Sequence, residues 1–439
     1  MSSASTNGRL ALLVGGGPAP GINGVISAVT IEARNHNTDV LGIQDGFQWL
    51  MTGEGKPHWR PLDIKDVKEF ALRGGSMLGT SRANPAKSKE DMARVVRTLH
   101  ELGVTALVTI GGDDTAFSAS QVYKGAGGSI RVAHVPKTID NDLPLPDSIP
   151  TFGFETARQV GVGIVRNLRE DARTATRWYV IVSMGRAAGF LALGIGKAAA
   201  ATLTLIPEEF GGRKVTLDEV CDIVLGAIIK RRSHSSPFGV AVLAEGLIEA
   251  IGEKGLLAAL GPEELRRYGI LERDAHGHLR LGEIDFGRMV KDRVALRLKE
   301  LNLATTLMDK ELGYELRCAD PIPFDAEYTR DLGYGAVKFL RTADAAHFGA
   351  IISFVAGRLN PLRFDDLIVP ETGRMRPRKV NVEGETYEVA RRYMIRLEAQ
   401  DFEEPERLAA VAAAAKLGPD QFRQRFGYLF NLGQPPGPR

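Results

Sequence analysis

Leu10-Ala11-Leu12-Leu13-Val14 runs without a polar residue into Gly15-Gly16-Gly17-Pro18-Ala19-Pro20-Gly21, and Ile22, Val25, Ile26 and Val29 follow at helical spacing. The apolar run has the length of a strand buried on both faces, and the later pattern is that of an amphipathic helix. Strand, glycine loop, helix is the opening of a parallel α/β sheet. The same grammar recurs along the chain. Val104 to Ile110 ends in Gly111-Gly112-Asp113-Asp114-Thr115, Ile130 to Val135 ends in Pro136 to Asp142, and Trp178 to Ser183 ends in Met184-Gly185-Arg186. Leu203 to Ile206 leads into Pro207-Glu208-Glu209, and Gly239 to Ala244 into Glu245-Gly246. Val40 to Ile43 and Gly349 to Val355 complete the expected strands. Helices are expected around Met92 to Leu99, after Thr115 to about Tyr123, and over 154–169, 215–230, 328–340 and 404–416. This alternation predicts doubly wound parallel sheets, two of them. The expected division is 1–153, then 154–321 with a mostly helical insertion at about 248–310, then 322–439. The insertion is broken by a charged turn from Glu272 to Glu283. The last segment is expected to return to the N-terminal domain and end in a Pro/Gly tail.

With 439 residues the chain is long enough for two ordinary cores. Its 25% charged and 44% hydrophobic residues are those of a soluble globular protein. The 56 basic and 54 acidic residues nearly cancel, which points away from nucleic-acid and membrane-surface binding. Cys221 and Cys318 lie far apart and outside any CxxC, as reduced cytosolic thiols do. Met1 to Gly8 lacks the regions of a signal peptide, and Arg186 and Lys197 interrupt the longest apolar stretch, Trp178 to Ile206. The cytoplasm is the expected compartment, with no membrane span.

Polar or glycine-bearing motifs at the carboxyl ends of strands mark where open α/β sheets bind ligands. The Gly15 to Gly21 loop has neither the Lys-Ser/Thr of a P-loop nor GxGxxG spacing, but its N–H groups at a helix start suit an anion. Gly74 to Arg82 is a second glycine-rich loop. Asp113 could hold a Mg²⁺ that bridges phosphate oxygens. The plainer alternative makes Asp113 or Asp114 a helix cap worth about 1 kcal/mol. His134-Val135-Pro136-Lys137-Thr138-Ile139-Asp140-Asn141-Asp142 gathers a lysine, a threonine and two acids that a core does not need. Phosphoryl transfer needs a cation for moving charge, an acid for a metal and an acid for a proton. The plain alternative there makes Thr138 and Asn141 turn formers and Lys137 a solvated charge. His276 and His278 have no HExxH or cysteine near them and are expected in a solvated turn rather than a zinc site. Lys230-Arg231-Arg232 suits a helix C-terminus. Arg374, Arg376, Arg378 and Lys379 are expected to form a solvated face, a contact to phosphate or another subunit being the lesser alternative.

Gly-Gly-Asp-Asp-Thr, Pro-Lys-Thr-Ile-Asp-Asn-Asp, Met-Gly-Arg and the apolar run ending Pro207-Glu208, in this order and spacing, resemble the 6-phosphofructokinase family. The likeness extends from about Arg9 to Arg396 and is strongest to the pyrophosphate-dependent branch, the diphosphate–fructose-6-phosphate 1-phosphotransferases. The stretch Thr372-Gly373-Arg374 to Val380 resembles that branch too. The resemblance implies a phosphofructokinase-like α/β fold of two domains with the active site in the cleft between them. The first domain takes pyrophosphate and Mg²⁺ and the second fructose 6-phosphate. It implies reversible phosphoryl transfer from pyrophosphate to O1 of fructose 6-phosphate, in glycolysis and gluconeogenesis. By the same resemblance Gly16, Gly17, Arg82, Gly112, Asp114 and Thr115 meet the donor, and Asp113 serves the Mg²⁺. Lys137 meets the phosphoryl group in transit and Asp140 removes the O1 proton. Thr138, Ile139, Met184, Gly185, Arg186 and Glu245 line the sugar phosphate. Tyr314 and Arg317 clasp the 6-phosphate, and Arg177 reaches a neighbour's site, which implies a homodimer or homotetramer.

The ATP-using pattern has glycine where this chain has Asp114, and often glycine in place of Lys137. A carboxylate about 4 Å from the α-phosphate of ATP, at an effective dielectric near 20, repels it by about 4 kcal/mol, roughly a thousandfold in binding. Asp114 therefore favours pyrophosphate. Lys137 decides less, since some ATP-using relatives share it. The rivals are an ATP-dependent 6-phosphofructokinase, a non-catalytic regulatory subunit on the same fold, and a lipid or dinucleotide kinase. The last lacks the Lys-Thr-Ile-Asp-Asn-Asp and Met-Gly-Arg motifs.

Overall fold

The computed structural model describes residues 8–52, 58–146, 149–269, 281–369 and 374–431. The expected lead-in before Gly8, the His276/His278 turn, Thr372, Gly373 and the Pro/Gly tail lie outside them. Among the described residues no helix is long and apolar enough to cross a membrane. Eleven strands carry the architecture: β1 (Arg9–Val14), β2 (Val40–Ile43), β3 (Trp59–Leu62), β4 (Val104–Gly111), β5 (Arg131–Pro136), β6 (Arg177–Ser183), β7 (Leu203–Leu205), β8 (Gly239–Ala244), β9 (Thr306–Leu312), β10 (Ala350–Val355) and β11 (Arg358–Arg363). They fall into two compact units. One comprises Met1–Ala157 and Tyr314–Arg378, the other Arg158–Gly313 and Lys379–Arg439.

In the first unit the strand order is β11-β10-β5-β4-β1-β2-β3. The five inner strands pair in parallel, and only the edge strands β11 and β3 run antiparallel. Alternation along β1 sends Leu10, Leu12 and Val14 to one face, where they pack with Ile22, Val25 and Leu332 of the helices Ile22–Asn35 and Pro323–Leu340. Ala11 and Leu13 point to the other face, against Val95, Leu99 and Ala116 of Lys89–Glu101 and Asp113–Gly125. Helices on both faces explain why the strands read as unbroken apolar runs. The chain leaves β1 for β2 on one side, whereas β4 and β5 lie on the other. The order therefore reverses between β1 and β4, the switch point where such sheets bind ligands.

The second unit has a parallel sheet, β7-β8-β6-β9. Trp178, Val180 and Val182 of β6 pack with the helices Leu217–Ser233, Gly246–Leu265 and Phe286–Glu300. The expected helical stretch at 248–310 thus ends differently, because Thr306–Leu312 is a strand beside β6. Its charges, Asp309, Lys310 and Glu311, hide the strand pattern because it is an edge strand with alternate exposure. The C-terminal segment is also divided. Residues up to Arg378 join the first unit, whereas 379–431 join the second, where Leu397, Phe402, Leu408, Phe422 and Phe426 enter the core. Apolar side chains of the short helices Pro405–Ala414 and Pro419–Phe426 find their cover there.

Candidate active site

In the first unit the parallel ladder carries on past the strands into the motifs. Gly15 N–H donates to Ile110 O at 2.8 Å and Lys137 N–H to Gly111 O at 2.8 Å, so the loops after β1, β4 and β5 leave side by side. Packing is tight enough to require glycine. A Cβ on Gly111 would come within 2.3 Å of Thr115 Cβ, and one on Gly15 within 2.5 Å of Thr115 Oγ1. Gly16 has φ +83°, the left-handed region, and its missing Cβ would lie 3.2 Å from Lys137 Nζ. Lys137 is only 4% exposed and donates from Nζ to Gly17 O. The solvated-charge alternative for Lys137 is thereby removed. The Gly74 to Arg82 loop is strapped to the same place. Gly16 N–H donates to Ser81 O at 2.8 Å, and Thr80 Oγ1 to Gly16 O at 2.7 Å. Arg82, next along, is exposed.

The helix Asp113–Gly125 is capped by the extended backbone of Gly112, with no side-chain cap bond, so neither Asp113 nor Asp114 is the cap. Both lie in its first turn, where negative charge meets the positive end of the helix dipole. Asp113 is half-buried and Asp114 exposed. Among the described residues no group of three or more His, Cys, Asp and Glu side chains could hold a metal ion. The donor set at Asp113 fits Mg²⁺ in its substrate-assisted form, in which one or two carboxylates and phosphate oxygens share the ion.

After β5 the chain turns on its own polar groups. Asp140 N–H donates to Thr138 Oγ1 at 3.0 Å, and Thr151 Oγ1 donates to Thr138 O at 2.7 Å. Asn141 has φ +58°, and its Oδ1 accepts from Thr151 N–H at 3.0 Å. Thr138 and Asn141 are thus turn formers, as the plain alternative held, yet Ile139 and Asp140 between them are buried at 4% and 6% exposure. Two residues given no role by their motifs brace this region, His134 between β4 and β5 and Arg378 on the loop itself. Buried His134 places Nε2 3.0 Å from Gly111 O and Nδ1 2.8 Å from Thr109 Oγ1. A carbonyl can only accept, so Nε2 carries the proton and Nδ1 accepts from the hydroxyl. Burial, reinforced by the Lys137 charge, lowers its pKa to about 3. Arg378, expected on a solvated face, instead donates to Asn141 O at 3.1 Å, to Ile149 O at 2.8 Å and to Asn141 Oδ1. A contact 237 positions away in the chain leaves no local signal.

Arg317 also joins this group. A Cβ on Gly17 would lie 3.4 Å from its guanidinium carbon, which sits 5.0 Å from the Tyr314 ring centroid. This places its guanidinium beside the Gly16–Gly17 loop. Tyr314 is 76% exposed and belongs to no core.

The second unit gathers the other motif residues at the carboxyl end of β6. Glu245 Oε2 accepts from Gly185 N–H at 3.0 Å and Arg186 N–H at 3.1 Å, holding the Met-Gly-Arg turn in which Arg186 has φ +49°. Met184 N–H continues the ladder to Leu312 O at 2.8 Å. Arg177 is not in this group. It begins β6, about 20 Å from the strand's far end at roughly 3.3 Å per residue, and pairs with Asp171 at 3.4 Å.

Against this geometry, the sequence profile described as "PFK: Phosphofructokinase" matches residues 9–340. The chain belongs to the phosphofructokinase family. It is 52% identical over 427 residues to the "Pyrophosphate--fructose 6-phosphate 1-phosphotransferase" of Thermotoga maritima, covering 97% of this chain and 99% of that one. It is 51% identical over 427 residues to the protein of the same name from Naegleria fowleri, with 96% and 95% covered. Among solved structures, the phosphofructokinase of Saccharomyces cerevisiae superposes on 82% of this chain with TM-score 0.64. This phosphofructokinase-family chain spans 45% of the yeast one, and at 20% identity the likeness is one of fold.

Proposed function

We infer that this phosphofructokinase-family chain transfers a phosphoryl group from pyrophosphate to O1 of fructose 6-phosphate, reversibly, giving fructose 1,6-bisphosphate and phosphate. The observation that carries it is the buried Lys137 ammonium against the Gly16–Gly17 loop at the sheet's switch point, beside the first-turn acids Asp113 and Asp114. The full-length likeness to two proteins named for the pyrophosphate reaction supports the same donor. Asp140 takes the O1 proton while O1 forms its bond to phosphorus, the bridging P–O bond of pyrophosphate breaks, and phosphate leaves. Lys137 meets the charge on the moving phosphoryl group. Gly16, Gly17, Arg82, Gly112 and Thr115 hold the donor, and Asp114 denies the α-phosphate of ATP its place by charge repulsion. Asp113 is the carboxylate for Mg²⁺, which when bound neutralises phosphate charge. Met184, Gly185, Arg186, Glu245, Thr138 and Ile139 hold the sugar phosphate. Tyr314 and Arg317 are the proposed partners of its 6-phosphate, Arg317 adding a second cation at Gly17. Arg177, at the far end of β6, fits service to another subunit of a homodimer or homotetramer. The cytoplasm is the proposed compartment.

Turnover with pyrophosphate and with ATP at equal magnesium tests the donor. Robust turnover with ATP alone would reject it. Asp114→Gly with Lys137→Gly is expected to relax the donor preference toward ATP; an unchanged preference would sink the repulsion argument.

A further inference from the structure

The loop from Thr138 to Thr151 carries Asp140, and its described residues form no helix or strand. Its shape rests on side chains. Asn141 sits in the left-handed region, which asparagine adopts more readily than other non-glycine residues, and its side chain is bonded there on two sides. Arg378, 237 positions further along the chain, braces it. Its Nε and Nη2 fork onto Asn141 O and Asn141 Oδ1, and Nη1 reaches Ile149 O, so one planar guanidinium ties the start of the loop to its end. Its own N–H donates to Asp142 O at 2.7 Å, which sets the Arg378 backbone against the same turn. The chain of bonds continues inward. Asn141 Oδ1 also holds Thr151 N–H, Thr151 Oγ1 holds Thr138 O, and Thr138 Oγ1 holds Asp140 N–H.

We propose that Arg378 is a positioning residue for Asp140, acting through Asn141 and Thr151 rather than by touching a substrate. The proposal rests on the assignment of Asp140 as the base. Lysine keeps the charge but cannot reproduce the fork, so the residue type matters as well as the charge. A displacement of about 1 Å in a reacting group costs roughly a hundredfold in rate. The Arg378→Lys enzyme is therefore expected to lose roughly 10- to 100-fold in kcat, with the KM for pyrophosphate within about twofold of wild type.

Three measurements on the full chain decide it: steady-state kinetics of Arg378→Lys and Arg378→Ala, rescue of Arg378→Ala by guanidine hydrochloride below its denaturing range, and amide exchange across 138–151. The expected result is a kcat loss in both variants, partial rescue by guanidinium, and faster exchange confined to the loop. Should Arg378→Ala not fold, Arg378→Lys decides alone by its kcat and exchange. Wild-type kcat in Arg378→Lys would overturn the proposal. So would activity that falls only in step with melting temperature and is not rescued. Asp140→Ala serves as the separate control: turnover by that variant rejects the base assignment, whereas loop exchange in Arg378→Lys still reports whether Arg378 holds the loop.

Discussion

His134 is fully buried between Thr109 and Gly111, where the charged imidazolium is disfavoured. In the folded chain its pKa falls to about 3, because burial and then Lys137 disfavour the imidazolium, against 6.5 for an ordinary histidine. The unfolded chain therefore binds more protons than the folded one throughout that window. Stability from this group is complete above pH 6.5 and is lost as pH falls toward the folded value. Between pH 6.5 and 5 the loss is about 2 kcal/mol, at 1.4 kcal/mol per unit. His134→Gln keeps a donor and an acceptor but does not titrate. Denaturation midpoints at the two pH values are expected to diverge for the wild type and stay closer for the variant. Parallel midpoints would show that His134 is not held neutral.

Helix starts give a second test, one independent of the site. Thr216 Oγ1 accepts from Glu219 N–H at 3.1 Å while Glu219 Oε2 accepts from Thr216 N–H at 2.8 Å, a reciprocal cap on Leu217–Ser233. Thr216→Ala is expected to lower stability by about 1 kcal/mol with pyrophosphate kinetics unchanged, read from denaturation curves and the donor assay. An unaltered curve would mean that core contacts of this helix, such as Val220 and Val224, hold its first turn without the cap. How far elements were legible in sequence follows from where they sit. Leu10 to Val14, Val104 to Ile110 and Gly239 to Ala244 stand out because inner parallel strands are buried on both faces. Strands β3, β9 and β11 carry no such run because each is an edge, where Arg60, Lys310 or Arg358 can face water at no cost. The candidate site divides the same way. The motifs at strand ends announce Asp113, Lys137, Asp140 and Arg186 in a few consecutive residues. The supports act at a distance in sequence, His134 on the neighbouring strand β4 and Arg378 on a turn 237 positions away, so no local spacing records their roles.

At the scale of the molecule, the chain threads both units twice, and its second passage through the Arg158–Gly313 unit buries an ion pair. Arg396 Nη1 donates to Glu209 Oε2 at 2.7 Å, with side-chain exposures of 4% and 0%. Around them Ile395 N–H bonds Thr202 O at 2.8 Å, and Lys230 Nζ reaches Arg396 O at 2.8 Å and Asp401 Oδ2 at 2.6 Å. Arg391 lies close by, its pKa drawn down to about 10 by burial and then by the neighbouring Arg396 charge. Taking two charges out of water costs several kcal/mol each, so such a pair adds little net stability, but removing one partner strands the other. Arg396→Met is therefore expected to cost about 3–5 kcal/mol, whereas Arg396→Met with Glu209→Leu recovers most of that loss. The comparison is made by thermal or chemical unfolding of the full chain, with proteolysis of the 379–431 segment as the local readout. If the single variant unfolds like wild type, the pair does not anchor the segment and Leu397, Phe402 and Phe426 hold it by burial alone. If the double variant is as weak as the single one, Arg396 contributes by filling space rather than by neutralising Glu209.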